Sequence, residues 1–137
     1  MYKIIKANII AQVDGGSNAN IFTDEGYFHI ITRIEGTITQ VTGNPGVYTG
    51  IGIVLWKIGD IIILLYPSYL MEINPQNTIS TTAIKKYNEF RSVRVEALEW
   101  IKLTTAEGKS TRVPTERKIV ENEVLDFMLT IVMIVKN

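Results

Sequence analysis

Short apolar runs rich in Ile and Val, each closed by a cluster of Gly, Asn, Asp or Pro, recur along most of this chain. That alternation restricts it to a β-rich fold. In the run that matters most, Ile9-Ile10-Ala11-Gln12-Val13 leads straight into Asp14-Gly15-Gly16-Ser17. The run reads as a buried strand, β-branched and free of Pro. A carboxylate at its end is held at the edge of a core, a costly place for a charge. Two glycines let the backbone turn sharply and let another chain come close. Taken alone, Asp-Gly-Gly reads first as an ordinary tight turn.

Composition removes most other chemistries. The chain has 137 residues, enough for one domain with a real core, and 1–137 reads as a single unit. Acids and bases balance at 14 each, so no charge footprint for nucleic acid or an anionic membrane is visible. With no cysteine there are no disulfides and no thiolate metal site. The one histidine, His29, lies in the apolar run Tyr27-Phe28-His29-Ile30-Ile31 and reads as a strand residue or a satisfied core group. No metal and no cofactor are expected. No apolar run approaches the ~20 residues of a membrane span, and the start of the chain lacks the pattern of a signal peptide. The expected location is cytoplasmic. Acid–base chemistry here would fall to carboxylates, and the aspartates are Asp14, Asp24, Asp60 and Asp126.

Taken in order, residues 3–13 read as one or two strands, a candidate edge or terminal strand, and 27–34 as a further strand. Segments 37–41 and 47–56 bracket Thr42-Gly43-Asn44-Pro45-Gly46, a strong turn cluster, so they read as a hairpin. Its outgoing arm carries Gly50 and Gly52, which mark a bulge or a close backbone approach. After a turn at 57–60, the fully apolar 61–66 reads as a central strand, and 67–76 as an irregular connection holding Pro67 and Pro75. The helix signal follows. Ser80 or Asn77 caps it, Ile79, Ala83, Ile84, Tyr87 and Phe90 share one face, and Lys85, Lys86 and Glu89 share the other. Strands are expected at 92–95 and 98–104, then a turn at 106–109 with 110–113 pairing back. Residues 114–118 read as a break. The apolar 125–135 reads as a final strand needing a cover, which a second subunit could supply. The order alone admits a small barrel, a sandwich or a protease half-barrel.

The order of motifs resembles the aspartic protease region of copia-type retrotransposon polyproteins, relatives of the retroviral retropepsins. The matching residues are Asp14-Gly15-Gly16-Ser17, Asn20-Ile21-Phe22-Thr23-Asp24-Glu25, Gly50-Ile51-Gly52-Ile53-Val54, the strand 61–67 and Asn77-Thr78-Ile79-Ser80 with its helix. The resemblance covers about residues 9–105. It implies an all-β, retropepsin-like closed barrel or half-barrel with one short helix at about residues 80–90, working as a homodimer. The implied activity is that of an aspartic endopeptidase cutting a polyprotein, in the cytoplasm or within a virus-like particle. Its partners would be a polypeptide substrate and a second copy, with no nucleic acid and no membrane.

The resemblance makes Asp14 the catalytic residue and Gly15, Gly16 and Ser17 its loop. Thr42, Gly43, Asn44, Pro45, Gly46 and Gly50 become the flap that covers substrate. Such a hydrolase needs two carboxylates sharing a proton. The resemblance places the catalytic loop only at Asp14-Gly15-Gly16, so each subunit would contribute Asp14. One departure stands out. The family carries Ser or Thr at the second loop position, where its hydroxyl grips the opposite loop across the dimer; here that position is Gly15. Three outcomes stay open: the loop is held by backbone groups and Ser17, the dimer is looser, or the chain is a catalytically silent β-domain that binds peptides or partners as a dimer. A fourth reading makes Asp14-Gly15-Gly16 a plain turn in a viral or mobile-element structural protein.

Overall fold

A computed structural model describes residues 2–13, 17–39, 45–58, 61–74, 77–96, 100–114, 116–120 and 123–136. The strands are β1 (Tyr2–Val13), β2 (Asn20–Phe22), β3 (Ile30–Thr32), β4 (Gly36–Thr39), β5 (Pro45–Tyr48), β6 (Gly50–Ile58), β7 (Ile61–Leu70) and β8 (Asn77–Ile79), followed after the helix by β9 (Ser92–Glu96), β10 (Trp100–Thr104), β11 (Ser110–Pro114), β12 (Glu116–Val120) and β13 (Glu123–Lys136). Among the described residues a single 3-10 turn covers Glu25–Tyr27, and one α-helix, α1, covers Thr81–Tyr87.

Eight strands form one sheet in the order β12-β13-β1-β8-β2-β7-β6-β3. The sheet curls, and β13 meets β6 again through Val132↔Lys57 and Met133↔Trp56. β9, β10 and β11 form a second sheet, with Ile101 paired to Val113. β4 and β5 form a third sheet of their own. The chain is therefore mostly β with one short helix and a curled half-barrel sheet. Among the described residues no helix is long and apolar enough to cross a membrane.

Alternation along the strands builds the core. Val54 and Trp56 of β6 point inward opposite Leu65 and Ile63 of β7, and all four are buried. Met133 and Val135 of β13, Ala11 of β1 and Phe22 of β2 join them. Ile101, Leu103 and Val113 bring the second sheet into the same cluster, so both sheets share one core. Trp56 is only 1% exposed, and burying a side chain of that size is worth about 3 kcal/mol.

Several expectations need correction. β1 is not an edge strand: β13 pairs along one side from Tyr2 to Ala11, and β8 pairs along the other from Ala11 to Val13. The expected strand at 27–34 shrinks to Ile30–Thr32, because Asp24 caps a 3-10 turn instead; its Oδ1 accepts the Gly26 N–H at 2.8 Å. β7 does not stop at Pro67 but runs on to Leu70. Gly52 pairs with Ser68 while Val54 pairs with Leu65, so β7 bulges by one residue there, and a bulge is where a strand tolerates proline. The Tyr66–Pro67 peptide bond is cis. Residues 114–118, expected as a break, instead end β11 at Pro114 and open β12 at Glu116. β12, β1 and β6 of the same chain pair with β13, so the cover expected for this strand comes at least in part from within the chain.

The helix begins where expected, and Ser80 rather than Asn77 caps it: the Ser80 Oγ accepts the Ala83 N–H at 3.0 Å. It is shorter than the expected 80–90. Asn88 ends it, its N–H donating to the Ile84 carbonyl, and Glu89 follows in the left-handed region at φ 57°. Ile79, Ala83 and Ile84 are buried as the pattern implied, whereas Tyr87 is 39% exposed. Asn88 then closes on β7. Its Oδ1 accepts the Leu64 N–H at 2.7 Å and its Nδ2 donates to the Leu64 carbonyl at 2.8 Å, replacing a strand partner.

Candidate active site

The site suggested by sequence lies where β1 ends. Asp14, Gly15 and Gly16 fall outside the described residues; the residues on either side of them are described in detail. The chain leaves β1 at Val13 and enters β2 at Asn20, and β8 lies between those two strands. Val13 pairs with Ile79 in parallel register, and Ile21 pairs with Thr78 in antiparallel register. Ser80 follows Ile79 and donates its Oγ–H to the Ser17 carbonyl. Val13 and Ser17 are thus held by two consecutive residues, 79 and 80. A parallel neighbour and a helix cap fix the ends of the three-residue interval between them.

Ser17 uses its own hydroxyl locally: Oγ donates to the Ala19 carbonyl at 2.7 Å and accepts the Ala19 N–H at 3.3 Å. The rest of the brace comes from Asn20 and Asn77, which the sequence reading named within the matched motifs but gave no such role. Asn20 is fully buried. Its Oδ1 accepts the Ser80 N–H at 2.8 Å and its Nδ2 donates to the Pro67 carbonyl at 3.3 Å. Asn77, also buried, accepts both the N–H and the hydroxyl of Thr23, at 3.0 and 3.2 Å. Buried amides must satisfy their polar groups inside the protein, and here doing so joins β2, β7, β8 and the start of α1. Both lie among other polar residues, Asn20 after Ser17-Asn18-Ala19 and Asn77 between Gln76 and Thr78, so no local signal singled them out.

The candidate flap divides at the limits of the description. Thr42, Gly43 and Asn44 fall outside it. Pro45 and Gly46 belong to β5, opposite Thr39 and Ile38. Gly50 opens β6 and is buried. The hairpin expected from the turn cluster is present, and its described arms form a sheet separate from the barrel. Tyr48 packs on Tyr69 of β7 with ring centroids 4.8 Å apart, and its ring and hydroxyl fill the space where a Cβ on Gly36 would stand. The expected close approach occurs at Gly52, whose Cβ would collide with the Ile30 carbonyl.

Among the other candidates, Asp24 and His29 have partners of their own. The Asp24 carboxylate caps the 3-10 turn. Asp126 pairs through its backbone with Lys118 in the β12–β13 hairpin. Asp60 lies outside the described residues. The His29 Nδ1 lies 3.0 Å from the Ile134 carbonyl; a carbonyl only accepts, so this nitrogen carries the proton. His29 is a satisfied group tying the β3 region to β13, as the sequence suggested. Burial raises the Tyr27 phenol above its ordinary range, with Asp24 adding to the effect. Burial also raises Tyr69, with the phenols of Tyr48 and Tyr66 adding to it.

The chain matches no family model, no curated protein and no solved structure.

Proposed function

We propose that this protein is an aspartic endopeptidase of the retropepsin-like kind, acting as a homodimer in which each copy supplies Asp14. The observation that carries this reading is the anchoring of Val13 and Ser17 to Ile79 and Ser80, on a β8 strand inserted between β1 and β2. Anchoring the residues on either side of Asp14 to a sheet and a helix cap supports a catalytic role for that carboxylate, which needs a fixed frame. A hairpin distinct from the barrel also suits a flap over an extended substrate.

In this mechanism two Asp14 carboxylates meet at the two-fold axis and share one proton, because neighbouring like charges do not both ionise. The ionised member takes a proton from water, and that water attacks the peptide carbonyl. The protonated member hydrogen-bonds the carbonyl oxygen, and the roles reverse as the amine leaves. Gly15 offers no hydroxyl for a grip between loops; within each copy Ser80 holds Ser17, and Asn20 holds Ser80.

A second reading, a silent dimeric relative that binds peptides without cutting them, is favoured by Gly15 alone. Cleavage of a peptide library between about pH 4 and about pH 7, with Asp14→Asn run in parallel, separates the two. Under the proposal the wild type cuts, and the variant stays folded and dimeric but does not cut. No cleavage by a folded, dimeric wild type favours the silent relative. A folded monomer that does not cut overturns both.

A further inference from the structure

β3 to β6 form a single hairpin with a break in it. Thr32 pairs with Ile51 and Gly36 pairs with Tyr48, so residues 33–35 on one arm face only residues 49–50 on the other. The extra residue interrupts the ladder and bends the hairpin, as a bulge does. Both arms reach the same carboxylate at this break. Glu72 stands in the turn after β7. Its Oε1 accepts the Thr49 hydroxyl at 3.1 Å and lies 3.8 Å from the Arg33 Nη1. The same guanidinium nitrogen lies 3.5 Å from Glu25 in the 3-10 turn. The Thr49 N–H donates to the Leu70 carbonyl at 2.9 Å. One residue on each arm is therefore tied to Glu72, and the neighbouring Tyr48 rests on Tyr69 of β7.

We infer that Glu72 is the clasp of a hinge, a positioning residue that sets how far and how often the β4–β5 arms swing against the barrel. The partners are half exposed, at 52% for each of Arg33, Glu25 and Glu72. Exposed ion pairs are weak and screened by salt, so this clasp opens and recloses readily rather than locking. Glu72 holds both arms through one oxygen, so losing its charge breaks the Arg33 ion pair and weakens the Thr49 hydrogen bond together. The clasp does not depend on what Asp14 does. Its link to substrate entry rests on the proposed endopeptidase activity.

Amide hydrogen exchange on the whole chain tests the clasp without substrate. In Glu72→Gln, exchange in β4 and at residues 46–48 of β5 is expected to rise about two- to fivefold, with β1, β6 and β7 unchanged. Thr49→Val and Arg33→Met are each expected to give part of that rise. Added salt is expected to speed exchange at these amides in the wild type and to have little further effect in Glu72→Gln. Equal exchange in wild type and Glu72→Gln overturns the inference, as does a rise shared by the whole barrel. Peptide cleavage measured on the same samples answers the other question. A chain that fails to cut but shows the expected exchange response overturns the endopeptidase reading and leaves the clasp standing.

Discussion

The Asn20 Oδ1 accepts the backbone N–H of Ser80 at 2.8 Å, joining residues 60 apart in the chain. Both are fully buried. Asn20→Ala leaves the first N–H beyond β8 without its partner and also frees the Pro67 carbonyl. The expected cost is about 1–3 kcal/mol of stability. Urea unfolding should show it as a lower midpoint with an unchanged slope.

Gly52 is expected to be intolerant of any side chain. A Cβ there would collide with the Ile30 carbonyl and stand 2.9 Å from the Ile31 Cα, both of them backbone groups of the paired strand. Backbone cannot step aside as a flexible side chain does. Gly52→Ala should destabilise by about 2–3 kcal/mol and lower the thermal midpoint, with exchange rising first in β3.

Glu89 offers the opposite case. It follows the helix cap Asn88 with φ 57°, a region that costs a residue bearing a Cβ. Glu89→Gly removes that cost while adding freedom to the unfolded chain. A net gain of about 0.5–1 kcal/mol is expected, read as a rise of about 2–4 °C in thermal midpoint.

Tyr69 predicts how stability falls in alkali. Burial and neighbouring phenols raise its pKa in the folded state above the ordinary 10.0. The folded chain therefore holds the phenolic proton more tightly than the unfolded chain does. This contribution is fully present below the unfolded value and is lost as pH rises through the folded one. Unfolding measured from about pH 9 to about pH 11 should show stability falling, and Tyr69→Phe should reduce that slope. A variant with the wild-type slope would show that the loss arises elsewhere.

Local signals in the sequence were read well. Ser80 caps a helix because a hydroxyl before Ala83 suits that task, and the 106–109 turn returns β10 into β11 with Thr104 opposite Ser110. Glycines in β6 marked a real close approach. Pairings settled over long distances were not legible. Pro67 looked like a stop because nothing nearby in sequence reveals the bulge that accommodates it. The polar segment around Glu116-Arg117-Lys118 looked like a break because its strand character depends on pairing with β13. In the candidate site, the sequence pointed to the acidic loop and the hairpin. It did not reveal the roles of Asn20, Asn77 or Glu72, which depend on partners far along the chain.

The position of β1 between β8 and β13 sets an order of assembly. During synthesis, Ile79 and the register partners of Tyr2 to Ala11 do not yet exist when Val13 emerges. Until they do, β1 is an apolar ribbon with both edges open, which is how nascent chains come to aggregate. Contacts so distant in sequence form slowly. The Val13–Ser17 frame is therefore a late product of folding, and a chain cut short before β8 would carry Asp14 with no frame around it. If Asp14 is catalytic, this delay protects the unfinished protein and its neighbours from premature cutting.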